Sequence, residues 1–506
     1  MSTSASPQAG CRIARRVFTG PPARGGNRGG HGPGARGNPR WPRRTGPDGP
    51  APATGLAAFA DVGFVVRVEP VRLRPWLVAI VLAALAVRLA AIAATGPATL
   101  RFGDAQDYVD TAATLCEDGR YPDRGSLPFF RAPGLPFFLA GTTLCHPRIV
   151  VASKLALALC DVATAALTAA LVLLLFGGGA RRAALLAAAL VAIDPFLVLA
   201  SSDVTTEPLA TLLLTAALCA LLRARAAGDA ERRAVALACA GGVALGLACL
   251  TRPGSLAVAP AWLLLPALGG TGTGAGADAT AHARRAGLVV LTAALALAAT
   301  LAPWTVRNWH RFGEPILVND AGGYNAWRGT HPRLHAMLAS TAPARFADDS
   351  RALEADLERL AGEAGLGTAA SPRARNRQWW EAASANLAAD PSRAVRILAR
   401  NAAAFFRPWL DPAAQSRLAV FVSAAWFVGL GALAALGAAP LWRRDRPLVA
   451  LLAAGVLLAA LAHVPFQTVL RFRLPFTEPL LLAFAAAGAA SCRDRAGRGP
   501  GRDPTR

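Results

Sequence analysis

Ten stretches of this chain are apolar over most of about 20 residues, the length that crosses a hydrocarbon core of roughly 30 Å. They lie near 76–95, 150–176, 183–200, 207–222, 234–250, 254–268, 287–305, 417–440, 447–465 and 474–491. The pattern predicts an all-α integral membrane protein of about ten transmembrane helices. A further apolar stretch, 132–146, is short and carries Pro133 and Pro136. It reads as a helix at the membrane surface rather than as a span. Two connections are too long to be simple loops: 96–149, and about 110 residues at 306–416. The second holds two helix starts, Ser371-Pro372 and Asp390-Pro391, each a cap residue followed by proline at the first helical position. A small, mostly helical outer domain follows from that.

Composition agrees, with 54% hydrophobic and only 17% charged residues in 506. The net charge of +22 sits in the tails and between apolar runs, not along one face, so it reads as topology and excludes a nucleic-acid binder. Placing the N-terminus in the cytoplasm puts Arg72 and Arg74, Arg181 and Arg182, Arg223 to Arg233, Arg284 and Arg285, Arg443 to Arg446 and the tail from Arg493 inside. Every short basic loop then obeys the positive-inside rule. The resulting organisation has five parts. Residues 1–70 are a Gly/Pro/Arg-rich disordered cytoplasmic tail in which no signal peptide is visible. A transmembrane module at 71–305 carries the first outer loop, 96–149, and the outer domain spans 306–416. The last spans occupy 417–491, before a cytoplasmic tail at 492–506. The expected location is the plasma membrane.

Function belongs in the two outward regions. Eight cysteines show no C-x-x-C spacing and no histidine partner, so no metal site is assigned. Cys116 and Cys145 share the first outer loop, where an oxidising compartment permits a disulfide; two unpaired thiols is the alternative. Asp104 and Asp107 follow the first span three residues apart, on one face of a helix. A carboxylate there can orient or deprotonate a hydroxyl, or Asp104 can simply cap a helix from Ala105. Arg101, Arg131, Asp203, Glu207, Arg252, Arg307, Arg471 and Arg473 also fall at outward ends. Each arginine alone could be snorkelling, whereas several converging would bind a lipid phosphate. Arg88, Asp161 and His463 lie deeper, Asp194 lies near an outer helix end, and none of the four is assigned to catalysis. Beside the turn at Gly322-Gly323, Tyr324, Asn325 and Trp327 are candidates to stack on and bind a sugar.

Seven motifs, taken in order, resemble the GT-C class of membrane glycosyltransferases, family 39-like: GDAQDY at 103–108, RAPGLPFFLAG at 131–141, TTEPL at 205–209, LTRPGSL at 250–256, PWTVRNWHRFGEP at 303–315, GGYNAWRG at 322–329 and RFRLPFTEPLLL at 471–482. The likeness covers nearly all of the chain after residue 70. It is similar to protein mannosyltransferases using dolichyl-phosphate mannose and to lipid A aminoarabinose transferases. The resemblance implies inverting transfer of a sugar from a polyprenyl-phosphate donor to an envelope acceptor on the outer face. Asp104 matches the acidic first-loop residue that activates the acceptor or organises the site, while Arg131, Arg252, Arg307 and Arg471 match basic positions at the carrier phosphate. Glu207 matches an acidic position at a span end; with Asp107, Tyr108, Asn325 and Trp327 it makes the expected acceptor or sugar contacts. Ala105 stands where several members carry a second acidic residue, and the large loop follows the seventh span rather than the last. No cofactor is assigned, and a divalent metal is left open. The rival reading from another class is a polytopic transporter or lipid flippase.

Overall fold

The computed structural model describes residues 74–123, 129–146, 148–227, 230–268 and 279–496. All of the disordered tail expected at 1–70, and much of the tail expected at 492–506, lie outside the described residues.

The chain is helical, and no strand occurs among the described residues. In order the helices are α1 Arg74–Thr95, α2 Gly103–Asp118, α3 Gly134–Thr143, α4 Ile149–Phe176, α5 Arg181–Ile193, α6 Pro195–Ser201, α7 Glu207–Ala226 and α8 Glu231–Thr251. The one-turn α9 Ala259–Trp262 follows, then α10 Ala279–Phe312, α11 Gly322–Thr330, α12 Pro332–Ser340, α13 Phe346–Glu363, α14 Pro372–Ala388, α15 Pro391–Phe406, α16 Arg417–Arg444, α17 Arg446–His463 and α18 Leu474–Ala496. Among the described residues, eight helices are long and apolar enough to cross a membrane, and the bent pair α5/α6 makes a ninth.

The segment expected to cross at 254–268 is not a regular helix. Pro253, Pro260 and Pro266 break it into two 3-10 stretches flanking α9. Arg252 Nη1 at its start donates to Glu207 Oε1 at the start of α7 (3.0 Å), and Leu268 O at its end accepts from Arg225 Nε at the end of α7 (3.2 Å). Glu207 and Arg225 are roughly 27 Å apart along the helix at 1.5 Å per residue. The segment therefore runs the length of a span, helped by the 3-10 rise of about 2 Å per residue.

The break between α5 and α6 is made and sealed by buried charge. Asp194 caps α6, its Oδ1 accepting from Phe196 N and Leu197 N at 3.0 Å, with Pro195 as first helical residue. The carbonyls of Val191 and Ala192 are left without helical partners and take both terminal nitrogens of Arg88. Arg88 also donates from Nε to Asp161 Oδ2 at 3.0 Å, and both side chains have zero exposure. These two residues thus hold a bent span in place.

At the end of the bundle where α2 and α3 lie, short contacts fix the first loop. Lys154 Nζ, fully buried, donates to Gly96 O (3.0 Å) and Thr99 O (2.5 Å). Asp203 Oδ2 accepts from Arg101 N (2.8 Å) and Phe102 N (3.1 Å), fixing the start of α2. The short α3 helix packs one face onto the bundle end through Leu135 and Leu139 and leaves Phe137 exposed on the other. Gly134 makes this approach close enough, since a Cβ there would sit 2.6 Å from Thr251 N. Cys116 and Cys145 are disulfide-bonded, tying the C-terminal ends of α2 and α3.

Helices α11–α14 form a small domain around Trp327, Leu334, Leu353, Leu357 and Trp379. Ser371 and Asp390 cap α14 and α15 with proline following each. Asn401 Nδ2 of α15 reaches Val464 O (3.1 Å) and Gly329 O (3.3 Å), docking the domain on the end of α17. Asp320 joins it to the first loop, accepting from Phe130 N at 3.2 Å with Arg375 Nη2 3.5 Å away. Burial pushes the Asp320 carboxyl up to about 6, against the opposing pull of Phe130 N and Arg375.

Two outcomes follow. Asp161→Ala strands the Arg88 charge and lowers stability by about 3–5 kcal/mol. Replacing both residues by leucine does not restore it, because the Val191 and Ala192 carbonyls remain unpaired; unfolding in detergent, read as the loss of monodisperse protein, measures both. Because the folded state binds the Asp320 proton more tightly than the unfolded state, its contribution is most favourable below about pH 4. That contribution falls by roughly 2–3 kcal/mol as pH rises through about 6. The difference in thermal stability between wild type and Asp320→Asn should change over that window and be flat above it.

Candidate active site

Six charged side chains from five parts of the chain meet beneath the first loop. Asp104 and Asp107 stand on the first turns of α2, Arg131 precedes α3, and Glu207 opens α7. Arg252 follows α8, and Arg471 lies in the 3-10 turn Leu470–Arg473 before α18.

Asp104 does not cap its helix; Phe102 is the cap residue and makes no side-chain cap bond. Asp104 Oδ2 instead accepts from Arg471 Nη2 at 3.0 Å. The same guanidinium approaches Glu207, with Nε 3.8 Å from Oε1. Glu207 Oε1 also accepts from Arg252 Nη1 at 3.0 Å, and Thr206 Oγ1 lies 3.1 Å from the same nitrogen. Arg131 grips Asp107 Oδ2 through Nη2 at 2.8 Å and Nε at 3.0 Å. Aromatic faces hold the cations in place: Tyr108 under Arg131 at 5.0 Å, Phe472 under Arg252 at 4.7 Å, and Phe102 under Arg471 at 4.8 Å.

Burial works to raise the Asp104 carboxyl, but the charge and hydrogen bond of Arg471 and the charge of Arg131 more than offset it. Its pKa lies below the usual carboxylate value, so the group is ionised at neutral pH. Burial pushes the Tyr108 phenol up, keeping it neutral. Asp104 Oδ1, Glu207 Oε2, Arg252 Nε and Arg471 Nη1 are buried with no protein partner. Two donors and two acceptors, all on residues linked through Arg471 and Glu207, are unsatisfied together, and such atoms are costly unless something polar meets them.

Other residues singled out from sequence fall elsewhere. Arg307 faces Tyr121 O (3.1 Å) and Asp123 Oδ1 (3.4 Å) and stacks on Trp304, beside this cluster rather than in it. Trp327 is 4% exposed in the core of the small domain, 4.9 Å from the Trp379 ring, and Asn325 is exposed. Tyr324 comes nearer, its ring 5.5 Å from Phe129, which in turn packs against Arg131 at 5.4 Å. Arg473 turns away to Glu478 Oε1 (3.1 Å) and Arg407 O (2.9 Å). With three residues per turn, positions 471 and 473 point to different sides. Sequence reasoning missed Thr206, Phe102 and Phe472, whose only signal is adjacency to a charged residue in a motif. It also missed the task of Asp203 in fixing the start of α2. His463 packs among Phe405, Phe472 and Phe476. No group of three or more His, Cys, Asp or Glu among the described residues could hold a metal ion. Any metal would have to share Asp104 and Glu207 with Arg471, a poor fit for a cation.

Residues 147–269, which include Glu207 and Arg252, match the family model described as dolichyl-phosphate-mannose-protein mannosyltransferase. No curated protein matches by sequence. Among solved structures, the chain is similar to the oligosaccharyltransferase of Archaeoglobus fulgidus in its apo form, at 14% identity and a TM-score of 0.50, covering 83% of this chain and 51% of that one. It is also similar to the oligosaccharyltransferase AglB from Archaeoglobus fulgidus in complex with an inhibitory peptide and a dolichol-phosphate, at 15% identity, 85% and 52% coverage and a TM-score of 0.48. ArnT from Cupriavidus metallidurans bound to undecaprenyl phosphate is similar at 18% identity, 84% and 80% coverage and a TM-score of 0.37. The chain spans about half the length of the oligosaccharyltransferases it matches. The chain is thus a multi-pass membrane protein of the GT-C fold, and its segment 147–269 is similar to the dolichyl-phosphate-mannose-protein mannosyltransferases.

Proposed function

We propose that this protein transfers a sugar from a polyprenyl-phosphate carrier to an envelope acceptor on the outer face of the plasma membrane. The observation that carries the reading is the linked set of buried, unpartnered atoms on Asp104, Glu207, Arg252 and Arg471. Free guanidinium donors suit phosphate oxygens, and free carboxylate oxygens suit an incoming hydroxyl. The matched family model, which names dolichyl-phosphate mannose as donor, supports the same class of donor.

In this reading the carrier phosphate rests on Arg252 and Arg471, with Arg131 and then Arg307 along its approach. Asp104 faces the acceptor hydroxyl and takes its proton as the oxygen attacks the anomeric carbon, inverting it. Two aligned guanidinium groups stabilise the charge that develops on the leaving phosphate. Glu207 sets the spacing of those two arginines, and Asp107 with Tyr108 fixes Arg131.

The basic loops at Arg181, Arg223, Arg225 and Arg443 lie at the ends of helices opposite the cluster, which supports an outward site with cytoplasmic termini. The disulfide agrees, since Cys116 and Cys145 pair at the site end, where an oxidising compartment keeps them joined. A transporter is disfavoured because the linked, unpartnered charged atoms gather at one end of the bundle rather than at broken helices near its midplane.

Asp104→Asn is expected to lower transfer from a radiolabelled polyprenyl-phosphate sugar by on the order of 10²–10⁴-fold while purifying as folded protein. Near-normal transfer by that variant would remove Asp104 from the chemistry. A lipid-diphosphate glycan should not be turned over. In whole cells, a membrane-impermeant maleimide is expected to label Cys116 and Cys145 only after reduction; labelling that needs permeabilised cells would invert the topology.

A further inference from the structure

We propose that Arg471 is a shared cation, committed to Asp104 in the resting site and transferred in its electrostatic effect to the phosphate when Asp104 takes the acceptor's proton. This rests on the transfer reaction proposed above and adds that its two halves are coupled through one guanidinium.

The geometry supplies the coupling. Arg471 spends Nη2 on Asp104 Oδ2 at 3.0 Å and turns Nε toward Glu207 Oε1 at 3.8 Å, while its third nitrogen, Nη1, is buried without a protein partner. On the other side of the same ion pair, Asp104 Oδ1 is also buried and unpartnered. Each member of the pair therefore has one atom engaged with the other and one buried atom that no protein group partners. Phe102 and Phe472 bracket the Arg471 guanidinium at 4.8 and 5.4 Å, so it is held in position. The transfer is one of charge and needs no swing of the side chain.

The charge count explains why such a device is useful. Asp104, Asp107 and Glu207 balance Arg131, Arg252 and Arg471, so the resting cluster is formally neutral. A neutral cluster offers a phosphodiester monoanion little net attraction. During transfer the acceptor O–H bond breaks and its proton goes to Asp104 Oδ1. The acceptor oxygen bonds the anomeric carbon, the bond from that carbon to the phosphate oxygen breaks, and its electron pair stays on the phosphate. The leaving group gains one negative charge as the protein cluster gains one positive charge. Stabilisation thus grows along the reaction, which is the requirement for catalysis rather than for tight substrate binding. Arg252 and Arg131 cannot play this part, because their carboxylates, Glu207 and Asp107, take no proton in the scheme.

The neutral analogue of the protonated state is Asp104→Asn. Binding of polyprenyl phosphate to detergent-purified protein at pH 8 is the readout, in wild type, D104N, R471Q and D104N/R471Q. D104N is expected to bind this product tighter than wild type by on the order of ten-fold while losing transfer, and the gain is expected to vanish in the R471Q background. If R471Q does not purify as folded protein, R471K takes its place; it keeps the charge but not the fork that reaches both carboxylates, and the gain there is expected to be smaller. Equal or weaker binding by D104N, or an undiminished gain without Arg471, overturns the proposal. Persistent transfer by D104N would instead strike at the underlying reaction, so the two failures are separable.

Discussion

A charge buried within the end of an apolar bundle must find an opposite charge, because neither water nor hydrocarbon compensates it there. In this protein that constraint is met by three carboxylates and three arginines drawn from both halves of the chain. Arg471 and Asp104 are 367 positions apart yet form one ion pair, so the last span cannot seat correctly unless the first loop is in place. The same rule operates deeper, where Arg88 and Asp161 neutralise each other and seal the broken span. Buried pairs of this kind add little net stability over apolar packing, but they penalise any arrangement in which a partner is missing. They specify which helix ends meet.

The surrounding fold exists to present that cluster. Lys154, Asp203 and Gly134 pin the backbone on either side of α2, and the disulfide ties its far end to α3. Asp320 reaches across from the small domain to Phe130, one residue before Arg131. A shift in any of these would move a carboxylate or guanidinium by a side chain's width, which is enough to uncouple a hydrogen-bonded pair.

Much of this was legible in the sequence. Long apolar runs mark spans because few other constraints act on them, and nine of the ten expected crossings are helices or a bent helix pair. The tenth, 254–268, shows what apolarity cannot reveal: its prolines break it into 3-10 stretches, and it runs the length of α7 without forming a regular helix. Asp104, Glu207, Arg252 and Arg471 were visible as charges standing where charge is expensive. Their pairing was not, because pairing depends on helix register and on the turn at Leu470–Arg473, which sends Arg471 inward and Arg473 away. Trp327 misled for a related reason, since a tryptophan beside a glycine pair reads equally as a sugar platform or a core residue. In the structure it fills a core, and Tyr324 is the one beside Phe129.

The central claim is that Arg252 and Arg471 receive a lipid-borne phosphate within reach of Asp104. A cryo-electron microscopy structure of the protein with polyprenyl phosphate bound tests it most directly. The account predicts phosphate oxygens about 3 Å from both guanidinium groups, with Asp104 open on the side away from the lipid. Phosphate found only at Arg307, or at the opposite end of the bundle, would contradict it.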